Sequence, residues 1–166
     1  MLKSVLRLAT GSLLMSAALC ASAGNGNASY QDLTISAVSQ EVPGPSPRCP
    51  SGIGGSLAGF GDSNLSGRVT FLSSDCFTQD GANFTFSDGH FMITTMTGEL
   101  LFANYSGQAV PTGVGTQLVF SNASFQITGG TGRYARATGG GTLNGTEDAA
   151  TGKGAIQLSG RILLKN

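Results

Sequence analysis

The stretch FQITGGTGRYARATGGGTLNG, residues 125–145, decides between two folds. Gly130-x-Gly132 after a strand-like run has the spacing of a phosphate-binding turn in a dinucleotide fold. That fold needs a helix directly after the glycines, so that its N-terminal amides face the phosphates. Only about one helical turn fits here before residues 139–141, three consecutive glycines, stop a helix. We therefore interpret Gly129, Gly130 and Gly132 as a structural corner between strands that binds no nucleotide.

The rest of the chain is patterned for β-strands. Residues 65–71, LSGRVTF, and 156–162, IQLSGRI, alternate apolar and polar side chains, as strands with one buried face do. Strand-like runs recur near residues 30–38, 53–60, 65–74, 83–87, 90–97, 99–107, 116–128, 139–147 and 154–164. Such closely spaced strands separated by turn residues predict an all-β protein, either a sandwich or a closed barrel.

Three polar or proline-rich segments are predicted to lie between strands. Asp88-Gly89 has the composition of a two-residue hairpin turn. The segment 43–47, PGPSP, is predicted to be an extended loop, because proline cannot donate to a sheet ladder. Glu147-Asp148 is predicted to lie in a turn before Thr151-Gly152.

The N-terminus has the pattern of a secretory signal peptide. Lys3 and Arg7 precede a short apolar run, and Ala21-Ser22-Ala23 supplies the small residues of a cleavage site. We expect residues 1–23 to be removed, which places the protein outside the cell or in the periplasm. Residues 24–51 are interpreted as an N-terminal strand and proline-rich connector, 52–166 as a β-barrel domain, and 24–166 as one folding unit.

The cysteines fit an exported protein. Cys49 and Cys76 are the two that remain after cleavage, and a pair in an oxidising compartment predicts a disulfide bond. A metal site is not predicted, because His90 is the one histidine and the C-x-x-C spacing is absent from the sequence.

Composition excludes several partners. Only 11% of residues are charged and basic residues do not outnumber acidic ones, so we expect no nucleic-acid partner. The apolar run of the N-terminus is shorter than the roughly 20 residues that span a bilayer, so the chain is not predicted to span a membrane. An outer-membrane barrel would need girdles of aromatic residues, and the sequence has no Trp and three Tyr. No cofactor is predicted.

Residues 127–162, ITGGTGRYARATGGGTLNGTEDAATGKGAIQLSGRI, resemble the closing hairpin of bacterial secreted proteins of the allene oxide cyclase barrel-like family. The Gly-Gly-Thr-Gly corner is also similar to that of plant dirigent proteins, and a looser likeness extends back to about Gly52. The resemblance implies a single antiparallel β-barrel of about eight strands with an internal cavity, similar in architecture to lipocalins. It also makes an oligomer an option. The catalytic residues of these families have no matching positions here, so the resemblance carries no active site across.

Three polar residues in or beside predicted strands are candidates for ligand binding. A barrel could direct Arg68, Glu99 or Tyr105 into a cavity that is otherwise apolar. The alternative is that they lie on the outer, solvated face of their strands. His90, at the start of a predicted strand, is interpreted as a solvated side chain rather than a general base.

Three classes of function stay open on the sequence. The first, which we favour because recognisable catalytic groups are missing from the sequence, is a secreted barrel that binds a small, largely apolar molecule. The second is a cyclase-, isomerase- or dirigent-like enzyme that steers a reactive intermediate by shape. The third is a surface interaction or structural protein whose loops are the working part.

Overall fold

The alternating segments fold into eight antiparallel strands that close into a barrel, which confirms the predicted all-β barrel. The structure is a computed structural model that describes residues 29–165, so the predicted signal peptide lies outside the described residues. The strands are β1 Tyr30–Pro45, β2 Ile53–Ser63, β3 Gly67–Asp80, β4 Asn83–Thr95, β5 Leu100–Pro111, β6 Gln117–Gly130, β7 Thr138–Asp148 and β8 Lys153–Leu163. Each strand pairs with the next in sequence, and β8 pairs with β1 to close the sheet. Within residues 29–165 we find no helix whose length and apolar character would let it cross a membrane.

One half of the barrel interior is filled with apolar side chains. The alternation of each strand directs them inward, where Leu33, Ile35, Phe71, Ile93 and Ile162 are all buried. Phe71 also packs edge to face against Phe91, with ring centroids 5.5 Å apart. This packing makes the half that contains the starts of β1, β3 and β5 a solid core, so space for a ligand inside the barrel lies at the other end.

The glycine-rich stretch forms a corner that closes the filled end. Gly129 has a φ of 132° and Gly132 a φ of 53°, and a 3-10 turn, Gly132–Tyr134, leads from β6 toward β7. The Thr131 N–H donates a hydrogen bond to the Leu100 carbonyl at 2.8 Å. The Tyr134 side chain is buried in the core. The corner therefore has a structural role, with Tyr134 packed into the end of the barrel.

The prediction of a hairpin at Asp88-Gly89 is wrong. Both residues lie inside the continuous strand β4, where the pairing with β3 and with β5 shifts register. Asp88 has a φ of 49°, so this residue adopts the positive φ that the sequence favours, but in a β-bulge rather than a turn. A Cβ on Gly89 would lie 2.7 Å from the Tyr105 ring, so this glycine makes room for that side chain.

Two other predicted boundaries differ from the structure. β1 continues through Pro43 and ends at Pro45, both paired with β2, whereas its pairing with β8 ends at Gln40. The prolines lie where β1 has one neighbour, so their missing N–H groups break no ladder. The Glu147-Asp148 pair belongs to β7, and the turn to β8 follows it.

The predicted disulfide bond is present. Cys49 lies in the segment between β1 and β2, Cys76 lies on β3, and their Cα atoms are 5.3 Å apart. Both side chains are buried. The bond ties the end of β1 to the part of β3 that carries Asp75.

Candidate functional site

A cavity of about 500 Å³ occupies the end of the barrel opposite the corner. Its wall consists of inward-facing residues from all eight strands, and its rim includes the turn between β7 and β8, Ala149 to Gly152. Val42 and Ile53 also line it and are exposed, so the cavity opens to solvent at this end. The rim turn is held to β1 because the Glu41 N–H donates to the Gly152 carbonyl at 2.8 Å.

Aromatic side chains form much of the wall. Phe91 stacks on the Tyr105 ring with centroids 4.2 Å apart, and Phe86 lies 5.2 Å from the Phe120 ring, centroid to centroid. Phe77 and the aliphatic side chains of β2, β6, β7 and β8 complete the apolar lining. A wall of this kind binds apolar molecules, and the few polar groups in it orient them.

The polar groups of the wall come from alternate strands. Glu41 lies on β1, Asp75 on β3, Tyr105 on β5 and Glu147 on β7, and all four line the cavity. Alternate strands of a barrel direct side chains inward at the same level, which explains why residues so far apart in sequence meet.

Asp75 is held by a short chain of hydrogen bonds. The Tyr105 hydroxyl donates to Oδ2 of Asp75 at 2.9 Å, and Ser73 Oγ lies 3.2 Å from Tyr105 Oη. Because the phenol has one proton, and donates it to Asp75, the Ser73 hydroxyl is the donor in the second bond. These two hydrogen bonds hold the Asp75 carboxyl in place. The other carboxyl oxygen of Asp75, Oδ1, has no hydrogen-bond partner among the described residues.

Glu41 lies beside Asp75 over a glycine. A Cβ on Gly55 would lie 2.0 Å from Oε1 of Glu41 and 2.8 Å from Oδ1 of Asp75, so these two oxygens are at most 4.8 Å apart. Both residues are buried, with 6% of Glu41 and 4% of Asp75 exposed. Like Oδ1 of Asp75, Oε1 of Glu41 has no partner among residues 29–165. The absence of a side chain on Gly55 leaves the room that both carboxyls occupy.

Burial and like charge shift the protonation of this cluster. Burial, followed by the neighbouring carboxyl of Glu147 and the charge of Asp75, raises the pKa of Glu41 to about 10. Burial also raises the pKa of Asp75, against the hydrogen bond from Tyr105, and burial raises the pKa of Tyr105. At neutral pH Glu41 is therefore a protonated acid at the wall of an apolar cavity.

The carboxyl cluster can donate a proton or accept a hydrogen bond from a bound molecule. No basic side chain of the described residues that line the cavity balances its charge. Among the described residues, none of the side chains that line the cavity is Lys, Arg or His. Residues 29–165 also contain no group of three or more His, Cys, Asp or Glu side chains arranged to hold a metal ion. A bound molecule that carries a hydrogen-bond donor could supply a partner for the two carboxyl oxygens.

Of the three predicted ligand-binding residues, the structure places Tyr105 in the cavity wall. Arg68 is exposed on the outer face of β3, opposite Asp62 of β2. Glu99 lies at the filled end, where its Oε1 accepts from the Arg133 N–H at 2.8 Å. That backbone hydrogen bond is the main cause of the lowered pKa of Glu99, whose carboxylate holds the glycine corner.

His90 is exposed on the outer face beside the β4 bulge. Its Nδ1 lies 2.9 Å from Oδ1 of Asn104 and its Nε2 lies 3.1 Å from Oδ1 of Asp88. Arg48, from the segment between β1 and β2, also pairs with Asp88. These contacts fix the outside of the bulge and lie on the far side of the sheet from the carboxyl cluster.

The sequence reading missed Glu41 and Asp75, although a signal for both exists. In β1 the buried side chains Leu33, Ile35 and Ala37 have the same parity as Glu41. In β3, Asp75 continues the parity of the buried Phe71 in the same way. The predicted strands end at residues 38 and 74, short of both acids, so the parity of these predicted strands does not reach them.

No protein-family model, curated protein or solved structure matches this chain.

Proposed function

We propose that the protein is an exported β-barrel that binds a small, largely apolar molecule in the cavity at its open end. The cavity volume, about 500 Å³, lies within the 300–1,000 Å³ typical of small-ligand sites. Its aromatic wall provides apolar contact, and the acids of β1, β3 and β7 provide a polar end. The filled half of the barrel gives the cavity a closed floor.

The single observation that carries this proposal is the pair of buried carboxyl oxygens without partners. Leaving a buried polar group without a hydrogen bond costs about 1–3 kcal/mol, and more when the group is charged. Glu41 Oε1 and Asp75 Oδ1 are two such buried atoms without a protein partner among the described residues, at the wall of one cavity. Unsatisfied groups of this kind, with shifted pKa values, concentrate at functional sites.

The test is saturable binding of a neutral apolar probe, N-phenyl-1-naphthylamine, followed by its fluorescence. Ala109 is buried and lines the cavity, so Ala109→Phe should fill the site and abolish binding. The matched control is Ala58→Phe on the exposed face of β2, which should bind as the wild type does. Equal binding by both variants would place the probe outside the cavity and refute the proposal.

Export and family membership belong to the same proposal. Support for export comes from the signal-like N-terminus and from the Cys49–Cys76 disulfide bond, which forms in oxidising compartments. Support for relation to the allene oxide cyclase barrel-like and dirigent families comes from the glycine corner and from an eight-stranded barrel with a cavity. Native mass spectrometry of the protein purified from its own export route should detect a mature chain that begins at Gly24 with a small molecule bound.

An isomerase- or cyclase-like enzyme is the second candidate, and the protonated Glu41 favours it. A carboxylic acid that keeps its proton at neutral pH beside an apolar cavity can act as a general acid on a bound intermediate. The test incubates the co-purified molecule with wild type and with Glu41→Gln and separates isomers by chromatography. An isomer formed by the wild type alone would establish catalysis, and an unchanged molecule with both proteins would leave binding as the function.

Self-association is a further proposal, which follows from the resemblance and is supported by an apolar strip outside the barrel. Val38 pairs with Phe60 across β1 and β2, and Leu72 pairs with Met92 across β3 and β4. All four side chains are exposed, Phe60 by 64%. Apolar patches of this kind are typical of interaction surfaces. Light scattering should find an oligomer of the wild type and a monomer of Phe60→Ser, whereas the same mass for both would exclude this surface.

A further inference from the structure

We propose that the molecule bound in the cavity is an aromatic or similarly apolar compound with an ammonium group, and that Glu41 and Asp75 bind this group. This inference rests on the proposed function, since it needs an occupied cavity.

The charges of the cavity wall favour a bound cation. Three carboxyls, those of Glu41, Asp75 and Glu147, line the cavity, and none of the described lining residues is basic. Arg48, the basic residue whose charge acts on Asp75, is paired with Asp88 on the outer face. Because no protein cation faces the acids within the cavity, a bound cation would complement them, and a bound anion would be repelled.

The two carboxyl oxygens without a protein partner favour a ligand group with several donors. Glu41 Oε1 and Asp75 Oδ1 meet over Gly55, where a Cβ would contact both. An ammonium group has three donors on one small nitrogen, so it can donate to both oxygens at once. With Glu41 ionised, a hydroxyl, which has a single donor, would leave one of the two oxygens unsatisfied. The geometry therefore favours a nitrogen donor with several protons over an alcohol.

The aromatic side chains of the wall can also contact a cation. Phe91 and Tyr105 are stacked beside the acids, and Phe86 lies between Tyr105 and Phe120. Aromatic faces attract cations as well as apolar groups, and the attraction grows where water is excluded. The wall can thus contact both the apolar body of the ligand and its charged end.

Binding of an ammonium ion is coupled to proton release. Glu41 faces Asp75 from β3, Tyr105 from β5 and Glu147 from β7. Burial, followed by the carboxyls of Glu147 and Asp75, keeps Glu41 protonated at neutral pH. An ammonium ion favours the carboxylate, so one proton leaves Glu41 for solvent when the cation binds. Affinity should then rise as pH rises, by at most about tenfold per pH unit while Glu41 of the free protein is protonated and the ligand stays charged.

The experiment displaces N-phenyl-1-naphthylamine with three ligands of one shape: 2-naphthylmethylamine, 2-naphthylmethanol and 2-naphthoate. Titrations run at pH 6, 7 and 8, where the amine is an ammonium ion. At pH 8 we expect the amine to bind at least tenfold more tightly than the alcohol, and the naphthoate to bind most weakly. We expect the affinity of the amine to rise severalfold per pH unit, and that of the alcohol to stay level.

Glu41→Gln and Asp75→Asn serve as the matched variants. Both variants should still bind the alcohol, with a smaller loss than for the amine, which shows a folded cavity, and should lose at least tenfold in affinity for the amine at pH 8. The inference is overturned if the alcohol or the naphthoate binds as tightly as the amine, or if both variants keep the preference for the amine. Failure of the probe and of all three ligands to bind would instead overturn the proposed function.

Discussion

At the scale of single residues, Glu41 links the cavity to the pH dependence of stability. Its pKa of about 10 in the folded protein is far above the usual value of 4.5, mainly because it is buried. Between these two pH values the folded chain holds a proton that the unfolded chain releases, so the contribution of Glu41 to stability is largest below pH 4.5 and is lost as pH rises toward 10. The raised pKa of Asp75 acts in the same direction.

We predict that Glu41→Gln is more stable than the wild type, and that the difference grows with pH. The slope for one such group is at most about 1.4 kcal/mol per pH unit, because one proton is involved. Urea unfolding at pH 5, 7 and 9 measures it, with the exposed Asp62→Asn as control. Parallel stability curves for wild type and Glu41→Gln would show that Glu41 titrates alike in the folded and unfolded chains.

Tyr105 supports the same cluster through its hydroxyl. Tyr105→Phe keeps the ring that stacks on Phe91 but removes the donor to Asp75 and the acceptor of the Ser73 proton. We expect a loss of about 1–3 kcal/mol in unfolding free energy, because the buried Asp75 carboxyl loses its hydroxyl donor. Tyr30→Phe, at a residue that is 51% exposed, is the control and should change little. An equal effect of both substitutions would contradict the role of the hydroxyl.

Tyr105 was among the predicted residues and Glu41 was not, and the reason is local. Residues 99–107 read as a strand throughout, so Tyr105 could be placed by parity with Leu101 and Ala103. Glu41 follows the predicted end of its strand and precedes a proline-rich segment that favours a loop. A charged residue next to prolines gives no sequence signal of burial, since its burial depends on strands distant in the chain.

At the scale of elements, the glycine corner of residues 129–132 connects β6 to β7 at the filled end of the barrel. A Cβ on Gly130 would lie 2.0 Å from the backbone oxygen of Leu100, and a Cβ on Gly132 would lie 2.3 Å from Glu99 Oε1. Backbone atoms cannot move aside as a flexible side chain does. The corner therefore tolerates a side chain poorly at Gly130, for reasons of space rather than of ligand binding.

We predict that Gly130→Ala lowers the unfolding free energy by about 1–3 kcal/mol, as overpacking does. Gly44→Ala, in β1, is the matched control, because a Cβ there has no atom within 4 Å. It should stay within about 0.5 kcal/mol of the wild type. Thermal unfolding followed by circular dichroism measures both. A stable Gly130→Ala variant would contradict the close approach of the corner to β5.

The disulfide bond is the second element-scale feature with a measurable effect. It closes a loop of 27 residues between the end of β1 and β3. Reduction should lower the unfolding free energy by about 3–4 kcal/mol, because the unfolded chain regains the freedom of that loop. Urea unfolding with and without reductant measures the loss. The Cys49→Ser/Cys76→Ser double variant controls for other effects of reductant, and an equal response of both proteins would exclude the bond as the cause.

The element boundaries show where sequence patterns fall short. Asp88-Gly89 favours positive φ, which a hairpin turn and a β-bulge both need, and the neighbouring strands β3 and β5 decide between them. Pro43 and Pro45 extend β1 because β8 no longer pairs with it there. Local sequence specifies backbone preference in both places, whereas the partner strand determines the element.

At the scale of the whole molecule, the barrel divides into a filled half and an open half. The strand count and the closed antiparallel sheet could be predicted from alternation and from the resemblance of residues 127–162. The cavity could not, because its wall combines side chains from all eight strands at one level. Its chemistry depends on three acids that meet only once the sheet has closed.

The claim that the open half binds a small apolar molecule is tested most directly by methyl-resolved NMR during titration with N-phenyl-1-naphthylamine. Leu118, Leu143 and Ile156 line the cavity, whereas Val38 and Leu72 are exposed outside the barrel. We predict saturable shifts, with one molecule bound per chain, for the first three methyl-bearing residues and unchanged signals for the last two. Shifts confined to Val38 and Leu72, or no shifts at concentrations that saturate the probe fluorescence, would contradict the account.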